Sequence, residues 1–173
     1  MTKKLLIFVF LIPSLLVLGC GYHFSPGGEH INRAIQDVYV DNFDNFTTEA
    51  NIENYIRNSF IDQMRRGSRF KVVSSRKLSD AVLTGSVNRI DTSHVSYTSS
   101  DVAKEDRVTI TMKLNFEEIK TGKVIWASEN YTGNDVYAVS SNTTTTDRNR
   151  KAAIRNLSDD MAEKAYRSIM SGF

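Results

Sequence analysis

The first twenty residues of this chain constrain its fold most, because they decide which part of the sequence can fold at all. Two lysines are followed by an almost entirely apolar run over residues 5–18, and the run ends at Gly19 and Cys20. A short basic segment followed by about fourteen apolar residues is typical of a secretory signal, and it is too short to span a bilayer comfortably. The sequence therefore predicts that residues 1–19 are a signal peptide outside the folded domain.

Cys20 is the only cysteine of the chain and follows Val17, Leu18 and Gly19. This stretch resembles the bacterial lipobox, in which a small residue precedes a cysteine that is acylated and becomes the first mature residue. We therefore predict lipid attachment at Cys20 and an acylated N-terminal tether over residues 20–33, which would hold the domain to a membrane. Two alternatives are an ordinary signal peptide with an incidental buried cysteine, and a core helix.

The length of the remaining chain predicts a single domain over residues 34–173, which is long enough to bury a hydrophobic core. The chain has 22 basic and 20 acidic residues, but two lysines leave with the signal, so the formal charge falls from +2 to zero. The apparent basicity is therefore no sign of nucleic acid binding. Acylation of Cys20 would leave no thiol for a disulfide.

The residue after Cys20 is Gly21 and not Asp. By the sorting rule of enteric bacteria, this favours a location on the periplasmic face of the outer membrane.

Two helices are predicted from single apolar stripes with helical spacing. The first is capped by Thr47 or Thr48 and runs to Arg66, and the second is capped by Asp147 and ends at Gly172. The two stripes consist of Ile52, Ile56, Phe60 and Met64 in the first helix, and Ile154, Leu157, Met161, Ala165 and Ile169 in the second.

Strands are predicted on both sides of the first helix. The clearest one alternates strictly between apolar and polar residues over 108–117, and a turn at residues 120–123 leads into its antiparallel partner. Gly85 predicts a bulge or a close approach inside an earlier strand. The predicted strands are residues 34–42, 70–73, 81–90, 108–117 and 124–131. The third of them can continue through Tyr97. A charged, exposed hairpin end over residues 101–106 and a polar connection over residues 132–146 complete the prediction.

The predicted order of elements is β-α-β-β-β-β-α. Because both helices and the strands have one apolar face each, helices laid on one side of a sheet would bury all of them. We therefore predict an α+β sandwich, with two helices packed on one face of a mostly antiparallel four- to five-stranded sheet. Antiparallel pairing after the first helix would bring the loops 97–106 and 132–146 to the same end of the sheet.

The sequence lacks the common patterns of catalytic and metal-binding sites. The sequence has no G-x-S-x-G elbow, no phosphate-binding loop and no H-E-x-x-H pair. His23, His30 and His94 are isolated in sequence, which does not suit a metal site. Glu117 and Glu118 are adjacent on a strand and therefore point to opposite faces. We predict that the protein is not an enzyme and needs no cofactor or metal.

Several features together resemble the lipopolysaccharide-assembly lipoproteins of the LptE family. These features are Gly19-Cys20-Gly21-Tyr22-His23-Phe24 after the signal, a strand over residues 81–87 with a glycine inside it, the long alternating strand from Arg107, the hairpin Thr121-Gly122-Lys123-Val124-Ile125-Trp126 and the closing amphipathic helix. The resemblance implies an α/β domain that plugs the large outer-membrane β-barrel LptD, assists the folding of that barrel, and binds lipopolysaccharide on its way to the cell surface.

The resemblance also implies a set of basic site residues. Lipopolysaccharide contact in the family is attributed to basic residues before the long strand and before the last helix, and the matching residues are Lys104, Arg107, Arg148, Arg150 and Lys151. Arg and Lys suit lipid A phosphates through charge-assisted hydrogen bonds. A polar surface also suits the wet lumen of a barrel. The candidate partner contacts are the outward residues of the long strand, Thr109, Thr111, Lys113 and Asn115.

A rival hypothesis is an outer-membrane regulatory lipoprotein that activates a peptidoglycan synthase. Such a protein usually needs a long disordered tether, whereas here the first strand is predicted within about fifteen residues of Cys20. A secreted hydrolase is a third class, and it would need a nucleophile and a base that the sequence does not bring together. The sequence therefore favours the barrel partner.

Overall fold

The computed structural model describes residues 28–97 and 103–172 of the chain. The predicted signal 1–19, Cys20 and the first part of the tether lie outside these residues. The described elements are β1 (Asp37–Val40), β2 (Asp44–Asn45), α1 (Ile52–Arg66), β3 (Lys71–Val72), β4 (Ala81–Tyr97), β5 (Ala103–Glu118), β6 (Val124–Ala138) and α2 (Thr143–Ser171), with a short 3-10 turn at Arg76–Leu78 before β4.

The strands form one sheet in the order β3-β1-β4-β5-β6, and β2 pairs with β4 beside this path. The pairs β1–β3, β1–β4 and β2–β4 are parallel, whereas β4–β5 and β5–β6 are antiparallel. The α+β class and the predicted order of elements are confirmed, with β2 as an added two-residue strand. The sheet is mixed rather than mostly antiparallel, because α1 carries the chain back so that β3 runs beside β1 in the same direction.

The hydrophobic core lies between the sheet and the two helices. Both predicted helix stripes are buried in it, as are all five apolar residues of the alternating β5 pattern. Gly85 is a close approach, since a Cβ there would lie 3.0 Å from the Lys113 carbonyl oxygen and 3.0 Å from Leu114 Cδ2. The register shifts between β4 and β5 occur further along the strand, between Val87 and Arg89, between His94 and Ser96, and between Ser96 and Tyr97.

The predicted helix starts are wrong. α1 begins at Ile52 after Asn51, and the Thr47 hydroxyl accepts a hydrogen bond from the Glu49 N–H inside the preceding loop. α2 begins at Thr143, four residues before Asp147, because the Asn142 side chain accepts a hydrogen bond from the Thr145 N–H. A side-chain cap therefore marks the start of α2, whereas Asn51 before α1 has a left-handed backbone and makes no side-chain cap hydrogen bond.

Two predicted loops are strands. Residues 132–138 continue β6, and their register partners run along β5 from Thr111 to Glu105. Residues 103–106 begin β5, so the predicted charged and exposed hairpin end is wrong for Asp106, which is 7% exposed. The end of β4, the start of β5 and the end of β6 lie at the same end of the sheet, because Tyr97 pairs with Ala103 and Glu105 pairs with Ala138. We call this end the tip.

We call the opposite end of the sheet the base. There the Asp80 carboxylate links two strands by hydrogen bonds. Asp80 accepts hydrogen bonds from the backbone N–H groups of Gln36 and Asp37, both at 2.9 Å. These N–H groups hold the pKa of Asp80 below its usual value. The charged carboxylate therefore joins the entry of β1 to the entry of β4.

Asp80→Asn is expected to lower the free energy of unfolding by about 1 kcal/mol at neutral pH, since the bonds are charge-assisted but partly screened by solvent. A lowered folded-state pKa stabilises the fold above the ordinary aspartate pKa, and this contribution is lost as the pH falls through the lowered value. Urea unfolding from about pH 5 to about pH 2 should therefore show less acid destabilisation in Asp80→Asn than in the parent. Asp44→Asn, at an exposed aspartate, is the control. An equal change in both variants would contradict this role of Asp80.

Candidate functional site

The sheet has one face covered by the helices and one open face. On β5, Thr109, Thr111, Lys113 and Asn115 all lie on the open face, because they alternate with the buried Val108, Ile110, Met112, Leu114 and Phe116. The structure therefore brings the four predicted partner contacts together in one row. We define the open face by this row and its cross-strand neighbours on β4 and β6.

Polar contacts tie the open face together. Lys113 Nζ lies 2.9 Å from Glu129 Oε1, and the Thr132 hydroxyl donates to the Thr111 hydroxyl at 3.4 Å. Asn115 donates to Glu117 at 3.1 Å. On β4, Arg89 pairs with Asp91 at 2.5 Å, and this hydrogen bond raises the pKa of Arg89.

The open face is therefore polar, has charged groups of both signs and is rich in hydrogen-bonding groups. A shallow depression of about 190 Å³ lies on β4 and β5, and its lining includes Thr84, Ser86, Lys113 and Asn115. Such a surface suits many modest polar contacts with a polar partner better than it suits an apolar ligand.

The predicted basic residues do not form one cluster. Arg107 is exposed on the open face, opposite Ser93 and Val136. Arg148 and Lys151 are exposed on the first turns of α2. The backbone of Lys104 lies in β5, but its side chain falls outside the described part of the chain.

Arg150 is already engaged in the fold. Its guanidinium lies 2.6 Å from Glu49 Oε2, and both side chains are largely buried. This ion pair ties the start of α2 to the loop before α1. Arg150 therefore has less freedom to bind a ligand than Arg148 or Lys151, and its side chain lies on the helix-covered side of the sheet, away from Arg107.

One cluster near the tip was missed from the sequence. Asp106 Oδ1 lies 2.5 Å from His94 Nδ1, and Asp106 Oδ2 accepts a hydrogen bond from the Tyr137 hydroxyl at 3.4 Å. Burial, and then the charge of Asp106, raise the pKa of Tyr137. The cluster joins β4, β5 and β6. Had the strict alternation of β5 been extended back to Asp106, it would have placed this residue on the helix side with Val108.

Within residues 28–97 and 103–172, no three His, Cys, Asp or Glu residues converge on a point where a metal ion could bind. Neither α1 nor α2 is apolar enough over a sufficient length to cross a bilayer.

The family model for lipopolysaccharide-assembly proteins, LptE, matches residues 35–169, which include both helices and the sheet. The chain belongs to the LptE family. The resemblance seen in the sequence is thus confirmed, and with it a place among lipopolysaccharide-assembly proteins. No curated protein matches the chain.

Solved structures share the LptE fold at low sequence identity. Lipoprotein B from Nitrosomonas europaea has a TM-score of 0.56 and 10% identity, and the match covers 79% of this chain and 83% of that one. Rare lipoprotein B from Shewanella oneidensis has a TM-score of 0.55 and 12% identity, with 79% and 95% covered. At such identities the similarity establishes the fold alone.

Proposed function

We propose that this LptE family member is an outer-membrane lipoprotein that binds an LptD-type β-barrel through the open face, assists its assembly and binds lipopolysaccharide during transport. The observation that carries the proposal is the family match over residues 35–169, which spans every strand and nearly all of α2. The family and fold point to a binding protein rather than an enzyme.

The open face supports a barrel partner. A barrel lumen is polar and hydrated, so a plug inside it needs hydrogen-bonding groups more than apolar area. Thr109, Thr111 and Asn115 present such groups from the rigid middle of the sheet, and Lys113 and Glu129 add one charge of each sign. Because the long strand β5 is paired on both sides, this row is held in place before any partner binds.

Exposed basic residues support binding of the lipid A phosphates. Arg148 and Lys151 are exposed in the second and third turns of α2, and each can form charge-assisted hydrogen bonds with phosphate. Arg107 is exposed on the open face, and Lys104 precedes it on β5. Arg150 contributes mainly through its bond to Glu49, so we rank Arg148 and Lys151 above it as ligand contacts.

Acylation at Cys20 would complete the arrangement. Residues 20–27 would connect the lipid to the base of the domain at Gly28, and the domain would stay on the periplasmic face of the outer membrane. Several acyl chains would give a stable anchor, since each buried methylene contributes about 0.8 kcal/mol.

The test is an affinity purification of the tagged protein from detergent-solubilised outer membranes, with the co-purified barrel and lipopolysaccharide both quantified. Thr109→Glu with Thr111→Glu should reduce the recovered barrel at least about tenfold, because it would place unpaired charges in a buried interface. Arg148→Glu with Lys151→Glu should retain the barrel and lose lipopolysaccharide. Ala152→Glu with Asn156→Glu, at exposed positions of α2, is the control and should change neither.

Other outcomes would count against the proposal. Recovery of a cell-wall synthase in place of a barrel would support the regulatory lipoprotein instead. If the parent protein recovers no barrel, the proposed barrel partner is wrong. If the control lowers the recovered barrel as much as the open-face pair does, the open face is not the surface that binds the barrel.

A further inference from the structure

The turn between β5 and β6 projects from the base of the domain with an unusual mixture of side chains. We call residues 119–124 the base hairpin. Ile119 is 37% exposed and Val124 is 51% exposed, although both are large apolar residues. Lys120 and Lys123, at the outer part of the turn, are exposed as well. Apolar residues at the foot of a turn and lysines at its end are typical of a surface that meets lipid headgroups.

The turn itself is well formed. The Gly122 N–H donates to the Glu118 carbonyl, and the Glu118 N–H donates to the Lys123 carbonyl, both at 2.9 Å. Gly122 has φ +68, and a Cβ added there would meet no atom within 4 Å, so the turn extends away from the rest of the domain. A rigid projection can present its side chains to a surface with little loss of conformational entropy.

The lysines of the base hairpin are available for an external partner. The ion pairs found among residues 28–97 and 103–172 include neither Lys120 nor Lys123. The nearest carboxylate in sequence, Glu118, accepts a hydrogen bond from the Thr121 hydroxyl at 2.5 Å. The two positive charges are therefore left to face outwards.

The base hairpin lies beside the point where the N-terminal segment enters the domain. A cavity of about 250 Å³ is lined by His30 and Ile31 on one side and by Lys123 and Val124 on the other. Residues 20–27 separate Cys20 from Gly28, and a fully extended chain of that length reaches about 26–29 Å. A lipid at Cys20 would therefore keep the base, and not the tip, close to the membrane.

We propose that the base hairpin docks on an anionic phospholipid surface. Lys120 and Lys123 bind lipid phosphates, while Ile119 and Val124 lie at the boundary between headgroups and acyl chains. The inference rests on the proposed function only for the anchor at Cys20, which orients the base towards the membrane. Charge complementarity and this short connection favour a lipid surface over a protein partner as the occupant.

The test measures flotation of residues 20–173 with Cys20→Ala, a chain that contains the whole described fold and cannot be acylated. The probe is a vesicle of three parts phosphatidylethanolamine to one part phosphatidylglycerol, compared with pure phosphatidylcholine. We expect binding to the anionic vesicles that weakens with salt. Lys120→Gln with Lys123→Gln should lower the partition coefficient at least about tenfold. Val124→Ser should lower it severalfold at every salt concentration.

The control removes two positive charges from α2, by Arg155→Gln with Lys164→Gln, and should retain most of the binding. Equal loss in the control and the hairpin variant, equal binding to both vesicle types, or no binding by the parent would each overturn the proposal. Circular dichroism of every variant shows whether the fold is kept. Because no barrel is present, this result is independent of the barrel purification, and either proposal can fail alone.

Discussion

Replacement of Phe116 by alanine is expected to lower the free energy of unfolding by about 3–5 kcal/mol. Phe116 is fully buried on β5, between Leu83 of β4 and Trp126 of β6. Its ring meets that of Phe70 edge to face, with centroids 5.6 Å apart. The alanine would leave a cavity at the junction of the sheet with the α1–β3 connection. The expected loss is a large part of the roughly 5–15 kcal/mol by which a typical domain is stable against unfolding.

The matched control is Asn115→Ala, one residue earlier on the same strand. Asn115 lies on the open face, so its truncation should cost no more than about 1 kcal/mol. Urea unfolding followed by circular dichroism gives both values. If Asn115→Ala were the more damaging change, the register of β5 would be shifted by one residue, because such a shift exchanges the two faces of a strand.

Gly133→Val is expected to destabilise the protein by about 1–3 kcal/mol through overpacking between β6 and α2. A Cβ at Gly133 would lie 2.7 Å from Met161 Cγ and 3.0 Å from Leu157 Cδ1. Both neighbours are buried residues of the α2 stripe, so they have little room to move. Either α2 must shift away from the sheet or the strand must distort.

The same substitution one residue later, Asn134→Val, isolates this effect. Asn134 is exposed and opposite Thr109, so a β-branched residue there should leave the stability within about 0.5 kcal/mol. Thermal unfolding of the two valine variants provides the comparison. Met161→Ala should recover part of the loss in Gly133→Val, and an equal loss without any recovery would contradict packing as the cause.

Much of the fold could be predicted from the sequence, because several elements have a period that depends only on nearby residues. The buried stripes from Ile52 to Met64 and from Ile154 to Ile169 follow the 3.6-residue helical turn, and the two-residue period of β5 separates its faces. The row from Thr109 to Asn115 on the open face followed from that alternation alone.

Other features depended on contacts between distant segments. Residues 132–135 are polar or glycine, and the run 132–138 was therefore predicted as part of a loop. These residues form a strand because β5 supplies their hydrogen-bond partners and α2 covers one side. Arg150 was predicted as a ligand contact, but its ion pair is with Glu49, about a hundred residues earlier. Asp106, His94 and Tyr137 also come together from three different strands.

The sequence by itself thus determined the type of each long element, the face it buries and the family. Only the tertiary structure decided the parallel pairing of β1, the extent of β6 and the partners of the charged residues near the tip. The physical reason is that side-chain periodicity is set by the local backbone geometry, whereas strand pairing and ion pairs gain free energy only when segments far apart in the chain meet.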